Sequence, residues 1–181
     1  MKEVTEMNFY IADTHFGHSN VIRFDDRPFY TVEEMDSVLM TNWNNKVSDD
    51  DDIYIIGDLI YRTNKDFSEY LDNLNGKKHL IVGNHDEKLL KDKRFRSYFV
   101  EIADIKQIFD KDRKVVLCHY PMVEWPSYFR GAYHLFGHIH NNQNDAWSVM
   151  KTKENAINVG CMLNGYEPLT LDELIARKRF Q

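Results

Sequence analysis

Five short apolar runs in this chain each stop at a side chain that can bind a metal ion. NFYIA (8–12) ends at Asp13, IYIIG (53–57) at Asp58, HLIVG (79–83) at Asn84, VVLC (115–118) at His119 and YHLFG (133–137) at His138. Each run has strand length and a β-rich composition. AINVG (156–160) and EIADIKQIF (101–109) read as two further strands.

Helical patterns lie between the first three strands. Thr31 and Glu34 form a capping box that opens a helix through about Val47, with Met35, Val38, Leu39 and Trp43 at helical spacing. Asp66 can cap a helix carrying Phe67, Tyr70, Leu71 and Leu74, ended by Gly76. Residues 86–95 suggest a weaker helix, and Thr170 with Glu173 caps a last one. The acidic run 49–52 reads as a solvated turn before a strand. Strand–helix–strand alternation predicts an α/β fold with a largely parallel sheet. In open sheets of that kind, ligands bind beyond the carboxyl ends of the strands. If the strands are neighbours, Asp13, Asp58, Asn84, His119 and His138 converge on one rim.

Two of the strand ends carry a second member at i+2, giving Asp13-Thr14-His15 and His138-Ile139-His140. Residues two apart in extended chain point to the same side, so each pair can address one centre or two adjacent ones. Gly57, Gly83 and Gly137 directly precede three of the motifs. A glycine there lets the backbone turn sharply and approach an ion without a Cβ in the way.

The 181 residues suit a single domain, 1–181. The formal net charge of −6 argues against a tight electrostatic hold on DNA or RNA, so no stable nucleic-acid binding is expected. Cys118 and Cys161 both adjoin apolar runs and read as reduced buried thiols. The start, MKEVTEMNFYIAD, has acids where a leader needs bases, and no run has membrane length. The expected setting is cytoplasmic, without a membrane partner.

Taken in order, Asp13-x-His15, Gly57-Asp58, Gly83-Asn84-His85-Asp86, His119 and Gly137-His138-x-His140 resemble the signature of the calcineurin-like metallophosphoesterase superfamily, over residues 13–140. The resemblance implies a pair of packed mixed β-sheets flanked by helices, and a dinuclear metal site. By it, Asp13, His15 and His140 hold a first metal, Asp58 bridges, and Asn84, His119 and His138 hold a second. His85 meets the substrate phosphate and helps the leaving group depart, with Asp86 as its orienting partner.

The chemistry is coherent on its own terms. A phosphate ester anion repels hydroxide, and two metals roughly 3.5–4 Å apart neutralise it and acidify a water. A bridging carboxylate offsets the repulsion between the two cations. Mixed N/O ligation suits Mn²⁺, Fe or Zn²⁺, with Mn²⁺ the favoured ion. His85 can supply a proton to the leaving oxygen, and Asp86 can fix its tautomer or cap the helix that follows.

Protein phosphatases of the superfamily continue Gly-Asp with an Asp-Arg pair; here Tyr61 stands before Arg62, which puts phosphoprotein substrates in doubt. The small size resembles single-domain phosphodiesterase members and leaves no room for a cap domain. The loops 16–30 and 120–132 border the motifs. His18, Arg23 and Arg62 are candidate substrate contacts, and Trp125, with Tyr128 and Phe129, is a candidate stacking surface. His79 and His134 lie inside strands and read as structural. The expected activity is hydrolysis of a small or nucleotide-derived phosphodiester. A phosphomonoesterase is the nearest alternative, and a non-catalytic protein-binding scaffold is the alternative of another class.

Overall fold

The computed structural model describes residues 6–178. The five residues 1–5, which entered the argument about a leader, lie outside it. In chain order the elements are β1 (Asn8–Ile11), α1 (Ser19–Phe24), α2 (Val32–Lys46), β2 (Asp52–Ile56), α3 (Ser68–Leu71), β3 (Lys77–Ile81), α4 (Lys93–Arg96), β4 (Glu101–Ala103), β5 (Ile105–Asp110), β6 (Arg113–Cys118), β7 (Tyr133–Phe136), α5 (Asp145–Met150), β8 (Ala156–Asn158), β9 (Leu169–Thr170) and α6 (Leu171–Lys178).

The strands form two mixed sheets. The first runs β4-β3-β2-β1-β9, parallel except for β9; the second runs β5-β6-β7-β8, parallel except for the β5–β6 hairpin. Alternation along the strands builds the layers. Phe9, Ile11, Ile53 and Ile55 face Met35, Leu39 and Trp43 of α2 on the outer side of the first sheet. Their neighbours Tyr10, Tyr54 and Ile56 face Val115, Leu117 and Leu135 of the second sheet. The far side of the second sheet is covered by Trp125, Ile139 and Met150. No helix among the described residues is long and apolar enough to cross a membrane.

Several expectations change in the folded chain. The single strand expected over 101–109 is two, broken at Asp104, because β4 pairs with β3 in one sheet and β5 with β6 in the other. The segment is where the chain crosses between sheets. The helix expected over 86–95 survives only as a 3-10 turn at Leu89–Lys91 and the short α4, because Asp92 caps α4 by accepting from the Arg94 N–H at 2.7 Å. The helix capped by Asp66 is one turn, α3. Asp51, inside the run read as a solvated turn, is buried; it accepts from Met7 N and from both the N–H and hydroxyl of Ser48. The capping box at Thr170 is complete; at Thr31 the hydroxyl accepts from the Glu34 N–H, but the Glu34 carboxylate accepts from Tyr30 N instead of Thr31 N. Both cysteines are free and buried.

The carboxyl ends of the two sheets meet at one rim. Ala12, just past β1, is bridged to Gly160, just past β8, through Ala12 N to Val159 O and Cys161 N to Ala12 O. Within the first sheet, Asp13 N bonds Gly57 O and His15 N bonds Asp58 O; within the second, Gly137 N bonds His119 O. The motif residues therefore leave adjacent strands side by side.

Candidate metal centre and cleft

At the rim, Asp13, His15, Asp58 and His140 offer donor atoms that all lie within 4.8 Å of one another. His15 Nε2 is 3.3 Å from His140 Nε2 and 3.7 Å from Asp58 Oδ2, and His140 Nε2 is 3.7 Å from Asp13 Oδ1. A second set gathers on Asn84, whose Oδ1 is 3.2 Å from His119 Nε2 and 3.0 Å from His138 Nδ1. Asp58 Oδ2 lies 3.5 Å from His119 Nε2, so one carboxylate oxygen belongs to both sets.

The backbone is bent to achieve this. Asp13, His15, Asp58, His138 and His140 all have φ between 50° and 68°, a left-handed conformation that non-glycine residues adopt rarely and at some cost. The preceding glycines leave room for close approach. A Cβ on Gly57 would fall 2.3 Å from His119 Nδ1, and one on Gly83 would fall 2.3 Å from Asp58 Oδ1. Asp13 is held from the opposite sheet by the His138 N–H, 3.1 Å from each of its oxygens.

The hydrogen-bond partners on the far side of the rings decide what faces inward. His119 Nδ1 lies 2.9 Å from the Ile56 carbonyl, an acceptor, so the ring's proton sits there and Nε2 turns a lone pair toward Asp58 and Asn84. His140 Nδ1 lies 2.7 Å from Asp25 Oδ1, which turns its Nε2 lone pair toward Asp13 and His15. The Nε2 atoms of these two rings thus face carboxylate oxygens, Asp58 Oδ2 at 3.5 Å and Asp13 Oδ1 at 3.7 Å, an arrangement that needs a proton or a cation between them. The donors are carboxylate, imidazole and amide oxygen, the ligand chemistry of Mn²⁺, Fe or Zn²⁺. The residues fit a metal centre.

The electrostatics agree. Burial pushes the Asp13 carboxyl up to about 6, against the pull of His140 and His119. Burial also opposes ionisation of Asp58, but the hydrogen bond and charge of His119 and the charge of His15 outweigh it and hold Asp58 at about 2. His119, although buried, is drawn up to about 9 by its bond to Asp58 and by the charges of Asp13 and Asp58. Burial carries His15 well below its ordinary value. Asp58 therefore keeps its charge and His119 takes up a proton, while His15 stays neutral.

The other expected residues separate into those that border the cluster and those that do not. His85 is one-third exposed; its N–H donates to Asp58 Oδ1 at 2.9 Å, its Nε2 lies 3.9 Å from Asp58 Oδ2, and its ring packs on Tyr61 with centroids 3.9 Å apart. Asp86, expected to orient His85, makes no hydrogen bond to it among the described residues. It is fully buried and accepts from three backbone N–H groups, Gly83 at 2.8 Å, Asp58 at 2.9 Å and Leu59 at 3.1 Å, which ties the ends of β2 and β3 together. His18 and Arg62 line a cavity with His15, His85 and His140, whereas Arg23 lies outside it on the surface, over the Phe24 ring. Trp125 is not brought to the cleft. It is 5% exposed, packs behind the second sheet and donates its indole N–H to Ala132 O at 2.8 Å, so its ring face is closed to a stacked base. His79 pairs with Asp52 and His134 with Met122 N and Val116 O, both inside the fold.

The sequence places Asp25 and Arg27 in the loop leaving the first motif but assigns neither a role. Arg27 is buried and forks onto Asp25, and it donates to the carbonyls of Asp13 and Thr14 at 2.8 and 2.9 Å. It therefore fixes both the first motif and the carboxylate behind His140. The available signal was an acid and an arginine two apart in the loop leaving the first motif, but nothing in their types announces burial.

Residues 9–121 match the profile of the family described as Calcineurin-like phosphoesterase. An uncharacterised protein of Methanocaldococcus jannaschii is 37% identical over 169 residues, 92% of this chain and 88% of that one. The gene 66 protein of Mycobacterium phage L5 is 32% identical over 85 residues, 43% of this chain and 39% of its own length. Among solved structures, a protein of unknown function from Aquifex aeolicus aligns with a TM-score of 0.74 at 29% identity, over 93% of this chain and 97% of that one.

Proposed function

The chain belongs to the calcineurin-like phosphoesterase family, and from that premise we propose that it hydrolyses a small or nucleotide-derived phosphodiester with two divalent cations, Mn²⁺ the favoured pair. The observation that carries this reading is Asp58 Oδ2, shared between two donor sets at 3.7 and 3.5 Å. Asp13, His15 and His140 would hold one cation with Asp58, and Asn84, His119 and His138 the other. Bound there, the cations would supply Lewis-acid charge at the phosphate and a more acidic water.

The chain's own groups do the remaining work. The Asp58 carboxylate would offset repulsion between the cations. The His85 imidazole, open to the cleft beside Asp58, is placed to donate a proton to the leaving oxygen. Support for a diester comes from the lips of the cleft. Tyr120, 47% exposed, packs edge-on against His138 at 4.6 Å between centroids, and Phe24, 60% exposed, lines the cavity on the His15 side. A phosphorus with two organic arms finds apolar ground on both sides.

The test is parallel hydrolysis of bis-p-nitrophenyl phosphate and p-nitrophenyl phosphate by metal-stripped protein resupplied with Mn²⁺. The diester is expected to be preferred, and His85→Ala to lower its turnover by roughly 10²–10⁴-fold, the span of general acid contributions. Preference for the monoester would make the protein a phosphatase, and absence of metal-dependent turnover on both would remove the catalytic reading for these substrates.

The carboxylate behind His140 gives a separate expectation. Asp25→Asn should raise the Mn²⁺ concentration for half-maximal activity by roughly 10–100-fold, the usual cost of losing a ligand's outer partner. Titrating activity against Mn²⁺ measures this directly, and an unshifted midpoint would mean that Asp25 does not set the His140 donor.

A further inference from the structure

The cleft continues beyond the donor cluster. The cavity of about 250 Å³ against His15, His140 and His85 shares Tyr61, Arg62 and His85 with a second cavity of about 370 Å³, which runs on to Lys65 and Lys88. The two adjoin along the packed rings of Tyr61 and His85 and the Arg62 side chain, and outline a groove on the His85 side of the cluster.

This groove is basic on a chain of net charge −6. Among the described residues, Arg62 and Lys88 make no ion pair, and the Arg62 guanidinium lies over the Tyr61 ring at 5.1 Å, which leaves its in-plane N–H groups open. Lys65 is 3.8 Å from the Asp36 carboxylate and is partly offset. Asp66, the one carboxylate lining the groove among the described residues, is already engaged by Arg94 at 2.9 Å and by Ser68. Arg62 also has φ 50°, so the backbone bears a left-handed conformation where this cation enters the groove.

At the inner end sits His18. It is 7% exposed, and neither ring nitrogen has a hydrogen-bond partner. Its ring is 5.7 Å from that of His15 and 5.0 Å from that of Tyr61. A buried imidazole without partners costs free energy unless a ligand completes it.

We propose that the groove seats a second phosphate of the substrate, bound by Arg62 and Lys88, while His18 hydrogen-bonds the substrate at the inner end. The inference rests on the phosphoesterase reading above. An oligonucleotide and a nucleoside polyphosphate share this chemistry, and the test separates them.

Three chromogenic esters would be compared: thymidine 5′-(p-nitrophenyl phosphate), the same compound with a 3′-phosphate, and the p-nitrophenyl ester of thymidine 5′-diphosphate. At least one two-phosphate ester should show kcat/KM higher by roughly tenfold, the scale of a charge-assisted contact. Arg62→Gln and Lys88→Gln should each bring that ratio toward one, and His18→Ala should raise KM for all three. Preference for the 3′-phosphate points to an oligonucleotide, and preference for the diphosphate to a polyphosphate. Turnover of all three at equal kcat/KM would overturn the groove and leave the phosphoesterase reading standing. If none turns over, that reading fails for these esters, and the groove is decided by calorimetric binding of thymidine 3′,5′-bisphosphate and thymidine 5′-monophosphate. Tighter binding of the bisphosphate, lost in the Arg62→Gln and Lys88→Gln variants, supports the groove; equal affinities overturn it.

Discussion

Asp58→Asn is expected to abolish metal-dependent hydrolysis, with a loss greater than the roughly 10–100-fold that follows removal of a ligand's outer partner. The reason is geometric. One oxygen of this carboxylate reaches His15 at 3.7 Å and His119 at 3.5 Å, so a single substitution weakens both donor sets. Asparagine keeps the shape and can still accept the His85 N–H, which Asp58 Oδ1 receives at 2.9 Å. It cannot carry the charge that offsets two neighbouring cations. The variant should melt like the parent in chelator and bind less Mn²⁺ per chain by elemental analysis. Undiminished turnover at the parent's metal content would sink the shared-carboxylate mechanism.

The second large effect is on stability. Asp86→Ala removes the acceptor of three buried backbone N–H groups, at Gly83, Asp58 and Leu59. Each orphaned donor costs about 1–3 kcal/mol, so a total of about 3 kcal/mol or more is expected. For a chain of this size that lowers Tm by roughly 6–12 °C. Asp86→Asn should fall between, because its amide N–H₂ turns a donor toward one of the N–H groups. A thermal melt of the metal-free proteins decides the matter. An orienting partner of His85 would lose activity with an unchanged melt; a tie between strand ends loses both.

What was legible in the sequence follows from how each residue acts. Asp13, His15, Asp58, Asn84, His119, His138 and His140 come together through side-chain atoms at or just past strand ends, and both their type and their place are visible in the text of the chain. The parallel core strands were visible for the same reason, as apolar runs with a polar stop. Asp86 and Asp25 act through burial and through what they bond on another segment, which no local pattern encodes. Trp125 looked available because it lies in a loop between two motifs, yet that loop folds back and spends the indole N–H on Ala132 O. The break at Asp104 was hidden because one β-like stretch serves two sheets.

The stitched rim also has a consequence for the order in which the chain folds. The first sheet brings Asp13, His15, Asp58 and Asn84, and the second brings His119, His138 and His140; the facing pair His15 and His140 are 125 residues apart. Neither half of the chain holds a complete donor set, so an ion cannot nucleate either sheet alone. The site comes into being only when both sheets have docked, a late and non-local event. Whatever free energy an ion contributes by mass action then falls on the finished fold and on none of its precursors. In this protein the ion would act as a latch on completed assembly rather than as a seed for it.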